Sequence, residues 1–214
     1  MNSDGTARYE QVRAQRPEVF VNPPGGIEIL TDPEAVAAAG GVVYEDPYLL
    51  LLRDAVRFTD RDRTRGTYIR ALSPTAEPGC VVLPLLGGDV VLVEIFRHAA
   101  RAWQWEVPRG FGTLGLTGAQ NATKELQEEI GAQVRELVPL GEVWPDTGLL
   151  GSSVLLFAAR IDAVGPLSAG EGIRSALTVP FAEAEAMVAD GRISDAFTIA
   201  VLTRARLNGL VQGG

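Results

Sequence analysis

The run from Cys80 to Phe96, CVVLPLL then Gly87-Gly88-Asp89 then VVLVEIF, most limits what this chain can fold into. Two apolar stretches flank a loop whose glycines supply the positive φ values a tight turn needs, so a β-hairpin is expected here. An earlier run repeats the pattern. YLLLLRDAVRF, the polar turn DRDRTRG and TYIRAL read as a second hairpin. WQWEV is a short strand ending at Pro108, GSSVLLFAARI is a strand, and LTVPF is a shorter one.

Helices are expected over residues 1–20, 119–131, 182–190 and 195–208, with a helical turn at 31–40. In that turn Thr31 or Asp32 can cap, Pro33 suits the first position and Gly40 can end it. Ser194 is expected to cap the last helix and Gly209 to end it. VNPPGGIEIL is a turn feeding a short strand. Many strands with few helices argue for an α/β chain, a mixed sheet sandwiched by helices. A boundary at SPTAEPG divides it into an N-terminal strand-rich extension (1–75) and a second domain (76–214).

The net charge of −8 and a sequence pI near 4.8 make duplex nucleic acid an unfavourable partner. A small anionic substrate stays open, provided a cation neutralises it locally. No stretch approaches the ~20 apolar residues of a membrane span, and the polar N-terminus lacks an apolar signal core, so a cytoplasmic, reduced protein is the expectation. Cys80 is the sole cysteine, which excludes an internal disulfide; it reads as a buried small hydrophobe. His98 reads as a surface residue.

The chemistry gathers in Gly110–Gly131, a glycine-rich loop leading into a helix. Glu125, Glu128 and Glu129 stand at i, i+3 and i+4, one helical face. Like charges there repel, and they sit in the half of the helix where the macrodipole disfavours anions. A hard cation such as Mg²⁺ reverses both penalties, since it binds through carboxylates and phosphate oxygens. A solvated acidic face is the alternative on spacing alone.

The segment resembles the Nudix box: Gly, five residues, Glu, seven residues, then Arg-Glu-aliphatic-x-Glu-Glu-x-Gly. Gly110, Glu125, Leu126, Glu128, Glu129 and Gly131 fall on that pattern. Leu116 stands where the box has Glu, and Lys124 where it has Arg. In the family these two positions form an ion pair behind the metal helix. Losing the carboxylate while softening Arg to Lys is a compensating change, because a buried Arg alone would be an uncompensated charge. The Lys124 stem can snorkel, so its ammonium is expected at solvent or a nearby carboxylate. The flanks VVLVEIFRHAARAWQWEVPRG and WPDTGLLGSSVLLFAA are similar to the ADP-ribose pyrophosphatase branch, and the similarity covers roughly residues 42–208.

The resemblance implies a Nudix α/β/α sandwich that hydrolyses a nucleoside diphosphate linked to another group, with Mg²⁺ or Mn²⁺ as cofactor. It implies metal ligands at Glu125, Glu128, Glu129 and the carbonyl of Arg109, and a phosphate contact at Arg97. It implies a general base at Glu171 or Glu128. Trp103 and Trp105 alternate on a strand and so share a side; one can stack on a nucleobase, with core or dimer packing as the alternative. The branch also implies a homodimer through the N-terminal half. Two other readings stay open: a nucleotide-sugar pyrophosphatase, and a non-catalytic Nudix domain that binds a nucleotide.

Overall fold

The computed structural model describes residues 3–211, so Met1 and Asn2 of the expected first helix and residues 212–214 of the second domain lie outside it. The described chain divides into two compact units, one of residues up to 76 with 146–152, the other of 77–145 with the residues from 153 onward.

The first unit opens with α1 (Ser3–Gln15) and a 3-10 turn at Pro17–Phe20. There follow β1 (Glu28–Leu30), α2 (Pro33–Ala39), β2 (Gly41–Glu45), β3 (Leu50–Arg57) and β4 (Arg65–Leu72). Asp32 caps α2 by accepting from Ala35 N, Pro33 occupies its first position, and Gly40 ends it at φ 107°. The first hairpin is β3 against β4, in register from Leu50↔Leu72 to Arg57↔Arg65. β3 also pairs antiparallel with β1 and β2. The core of this unit gathers Tyr9, Val12, Phe20, Val36, Leu50, Leu52 and Leu72. Inside it Asp54 accepts from Tyr9 Oη at 2.5 Å and from Arg70 Nε at 2.5 Å and Nη2 at 3.1 Å.

The second unit carries β5 (Gly79–Leu86), β6 (Asp89–Arg97), β7 (Ala102–Glu106), β8 (Arg109–Gly110) and α3 (Gly118–Ile130). It continues with β9 (Val134–Val143), β10 (Val154–Ile161), β11 (Ile173–Val179), α4 (Phe181–Ala189) and α5 (Ala196–Leu207). Among the described residues these strands form one mixed sheet, β11-β6-β5-β10-β9, with β7 against β6 and β8 against β5. β10 runs parallel to β5, and the other pairs are antiparallel. Gly87 (φ 63°) and Gly88 (φ 110°) make the two-residue turn of the β5–β6 hairpin.

The sheet is covered on both faces, which is why β5 and β6 are continuously apolar. Val81, Leu83, Leu85, Val90 and Leu92 pack with α4 and α5 through Phe181, Met187, Val201 and Leu202. Cys80, Val82, Val91, Val93 and Ile95 pack with α3 through Ala122, Leu126 and Ile130. The second unit is thus an α/β/α sandwich. No helix among the described residues is long and apolar enough to cross a membrane.

The helix expected over 1–20 ends at Gln15, with a separate 3-10 turn at Pro17–Phe20, the short strand β8 was not expected, and other elements differ too. The cap of α5 is Asp195, which accepts from Thr198 N at 2.8 Å, whereas Ser194 donates to Gln104 Oε1. A carboxylate is the stronger acceptor for the first-turn amides and suits the positive end of the helix dipole. β2 and β9 were not expected as strands. β9 contains Pro139 and Gly141, both weak strand signals, and it lies at the sheet edge, where a missing ladder donor is tolerated.

Candidate active site

The site is built where β5 and β6 diverge. β6 pairs with β5 only near the hairpin turn and then with β7 through Val93↔Glu106 and Arg97↔Ala102. β8 enters beside β5, with Cys80↔Gly110 and Val81↔Arg109. The loop 111–117 then turns the chain into α3. Thr117 caps that helix in a reciprocal box with Gln120, and Gly131 ends it at φ 58°. A side chain on Gly131 would also strike Pro166 Cδ at 2.8 Å.

Burying Ala122, Leu126 and Ile130 rotates α3 so that the adjacent carboxylates point toward β8. Glu129 is only 5% exposed, and its Oε1 accepts from Arg109 N at 3.4 Å. Glu125 lies beneath Gly110, where a Cβ would sit 2.1 Å from the carboxyl carbon, so only glycine fits. Burial raises both carboxyls above the ordinary range, Glu129 to about 8. In Glu129 the Arg109 amide and the charge of Arg97 oppose that rise, while Glu125 and Glu171 add to it.

Glu128 is separated from these two. Its side chain is 52% exposed and takes the Lys124 ammonium at 2.7 Å, and the same ammonium reaches Glu125 Oε1 at 3.3 Å. The single acidic face read from the i, i+3, i+4 spacing is therefore two inward carboxylates and one outward. The apolar stripe sets the roll of the helix and leaves Glu128 on the solvent side. Among the described residues no three His, Cys, Asp or Glu side chains are gathered closely enough to hold a metal ion. Leu116 is half-buried and makes no ion pair with Lys124, whose ammonium lies on the two glutamates.

Arg97 is held by buried Glu106, which accepts from its Nε at 3.0 and 3.1 Å and from Nη2 at 2.6 Å. Glu106 also accepts from Arg109 Nε at 3.1 Å. The Arg109 guanidinium lies 4.9 Å from the Phe197 ring centroid, with its Nη2 3.8 Å from Asp195. Glu171 ends a 3-10 turn (Ala169–Glu171) in a loop tied to the end of α3 by Gly165 N to Ile130 O and Ser168 N to Glu129 O, at 2.8 and 2.9 Å. Trp105 packs against the core on the α4 and α5 face. Trp103 is exposed, with the Arg174 guanidinium 3.9 Å from its ring centroid and Phe96 edge-on. His98 is exposed beside Arg101.

Two residues that shape the site, Glu106 and Asn121, were not singled out from the sequence. Glu106 is a carboxylate closing an apolar strand with an arginine three residues on. Asn121 is a poor helix former placed in the first turn of α3. Cys80 lies behind Gly110, fully buried, and its thiol is pushed up to about 11 chiefly by burial. A raised thiol holds little thiolate below that value, so Cys80 should resist thiol reagents in the folded protein at pH 8 and react readily in urea. Rapid labelling of the native protein at pH 8 would contradict this burial.

The glycine loop, the inward glutamates of α3 and the doubly covered mixed sheet agree with the α/β/α sandwich expected from the resemblance centred on residues 110–131. The solved structure of an ADP compounds hydrolase superposes with a TM-score of 0.67 at 18% identity, covering 79% of this chain and 91% of that one. The curated GDP-mannose pyrophosphatase of Yersinia enterocolitica serotype O:8 / biotype 1B (strain NCTC 13174 / 8081) is 34% identical over 93 residues. That match takes in 42% of this chain, and the chain spans about half (49%) of the length of that relative. No family model matches the chain.

Proposed function

We propose that this chain is a Mg²⁺- or Mn²⁺-dependent hydrolase of a nucleoside diphosphate linked to another group. The observation that carries the reading is the pair of inward carboxylates, Glu125 partly buried under Gly110 and Glu129 buried against the Arg109 amide. Two desolvated carboxyls raised in concert are costly without a cation, and their hard oxygens suit Mg²⁺. Glu125, Glu129 and the Arg109 carbonyl would hold the ion, and Glu128 would join them once Lys124 is displaced. The ion would polarise the phosphoryl oxygens and offset the charge that develops on them.

The chain's own groups supply the rest. Glu106 orients Arg97, whose guanidinium would bind a substrate phosphate. Glu171, on the loop tied to α3, would take the proton of the attacking water, with Glu128 as the other candidate. Trp103, the exposed member of the tryptophan pair, would stack on the base. The products would be a nucleoside monophosphate and a phosphorylated remainder. The name of the curated relative supports including a nucleotide-sugar among the substrates.

The test is product formation from ADP-ribose, GDP-mannose and other nucleoside diphosphate derivatives, with Mg²⁺ and with EDTA. Turnover with Mg²⁺ that EDTA abolishes is the expected result. Binding of these compounds without turnover of any would move the chain to the nucleotide-binding reading. A cytoplasmic homodimer joined through residues 1–75 completes the proposal. Light scattering at tens of micromolar should give twice the chain mass of 22.8 kDa, and a monomer would remove the dimer.

A further inference from the structure

Asn121 lies in the first turn of α3, where its side chain faces the loop and not solvent. It is 1% exposed. Its Nδ2 donates to the Phe111 carbonyl at 2.8 Å and contacts Cys80 Sγ at 3.3 Å, while its Oδ1 accepts from Thr113 Oγ1 at 2.8 Å. A buried amide with both ends satisfied is a specifying contact, since losing one partner leaves the other desolvated and unpaired. Both loop residues it grips lie just after Gly110. Phe111 follows Gly110 directly, and Cys80 is the strand partner of Gly110.

The segment Arg109–Gly110 is thus fixed from two sides, by β5 through the sheet and by α3 through Asn121. Other contacts on the loop lie farther along it. Glu77 Oε1 accepts from Gly115 N at 3.4 Å, its backbone presses on Gly112, and the Thr117–Gln120 box closes the helix start. Between positions 116 and 124 there is no ion pair to tie loop to helix, because Leu116 carries no charge, and the Lys124 ammonium is on Glu128 and Glu125.

We infer that Asn121 is the positioning residue of this site: through Phe111 it sets the Arg109–Gly110 backbone over Glu125 and Glu129, in place of an ion pair between residues 116 and 124. The inference rests on the metal-site reading above. It assigns the loop anchor to a neutral hydrogen-bonded clasp, which stays intact whatever the charge state of the carboxylates beside it.

The experiment compares wild type, Asn121→Ala, Thr113→Val and Thr117→Ala by Mn²⁺ binding without substrate, thermal unfolding and amide exchange over residues 111–117. Thr117→Ala removes the helix cap but leaves the clasp, so it reports a merely structural loss. Asn121→Ala should weaken Mn²⁺ binding about 10-fold or more, as loss of a residue supporting ligands does, and should speed exchange at 111–117. Thr113→Val should do the same to a smaller degree. It changes only a half-buried loop side chain, so it still decides the question if Asn121→Ala fails to fold. Thr117→Ala should lower the melting temperature with Mn²⁺ affinity unchanged. If Asn121→Ala and Thr113→Val bind Mn²⁺ like wild type, the positioning role is overturned. If wild type binds no Mn²⁺, the metal reading falls, and unaltered exchange at 111–117 in Thr113→Val would then overturn the clasp independently.

Discussion

Glu129→Gln should reduce Mg²⁺-dependent hydrolysis by about 100-fold or more, while Glu128→Gln should cost roughly 10-fold or less. The contrast follows from burial. Glu129 is buried against the Arg109 amide, whereas Glu128 lies at the surface on Lys124. Glutamine keeps the shape of Glu129 and its acceptor for Arg109 N, so the fold should survive. What it loses is the negative charge that would face the cation. Relieved of a buried carboxyl raised to about 8, the metal-free variant should melt at the same temperature as wild type or higher at pH 8.5. The sign is that of a raised group: the protonated form is the favoured one when folded, and that advantage is lost as pH rises through about 8. Initial rates at saturating Mg²⁺ and melting curves at pH 8.5 are the measurements. Full activity in Glu129→Gln would remove the ligand assignment, and a larger loss in Glu128→Gln would make Glu128 the essential carboxylate.

Removing Arg70 should be the most damaging single truncation in the first unit, costing about 3–5 kcal/mol. Asp54 is 1% exposed, and its two oxygens take Tyr9 Oη and a two-pronged grip from Arg70. Arg70 Nη1 also donates to Val19 O at 2.7 Å, and its guanidinium lies 5.4 Å from the Phe20 ring centroid. Arg70→Ala would leave a carboxylate in the core with only a phenol for company. Total stability of a domain is of order 5–15 kcal/mol, so the loss is a large share of it. The probe can be selective, since all four tyrosines (9, 44, 48, 68) lie in the first unit and all three tryptophans (103, 105, 144) in the second. With a urea slope of about 1–3 kcal/mol/M, the tyrosine-detected midpoint should fall by roughly 1–5 M. Replacing both partners by apolar residues, Asp54→Leu with Arg70→Met, should be milder than Arg70→Ala alone. A shift in Arg70→Ala worth under about 1 kcal/mol would show that water, not the guanidinium, solvates Asp54.

Local signals carried the sequence reading as far as it went. Gly87 and Gly88 between two apolar runs specified the hairpin because a turn is decided by its own residues. Asp32, Pro33 and Gly40 specified α2 for the same reason. The spacing of Gly110, Leu126, Gly131 and the glutamates specified a glycine loop feeding a helix, and the resemblance of that segment to the Nudix box implied the α/β/α sandwich. Tertiary structure decided what depends on residues distant in the chain. Spacing alone gives Glu125, Glu128 and Glu129 one face; the seating of Ala122, Leu126 and Ile130 on the sheet is what turned Glu125 and Glu129 inward and left Glu128 to Lys124. Arg97, Glu106 and Arg109 became one cluster only because β7 and β8 enter the gap between β5 and β6. Asn121 gained a role only because the fold set it against Phe111, Thr113 and Cys80, and β9 forms a strand despite Pro139 and Gly141 because it lies where the sheet ends. Periodicity assigns a residue to a face, but what that face meets depends on long-range packing, which no short window of sequence contains.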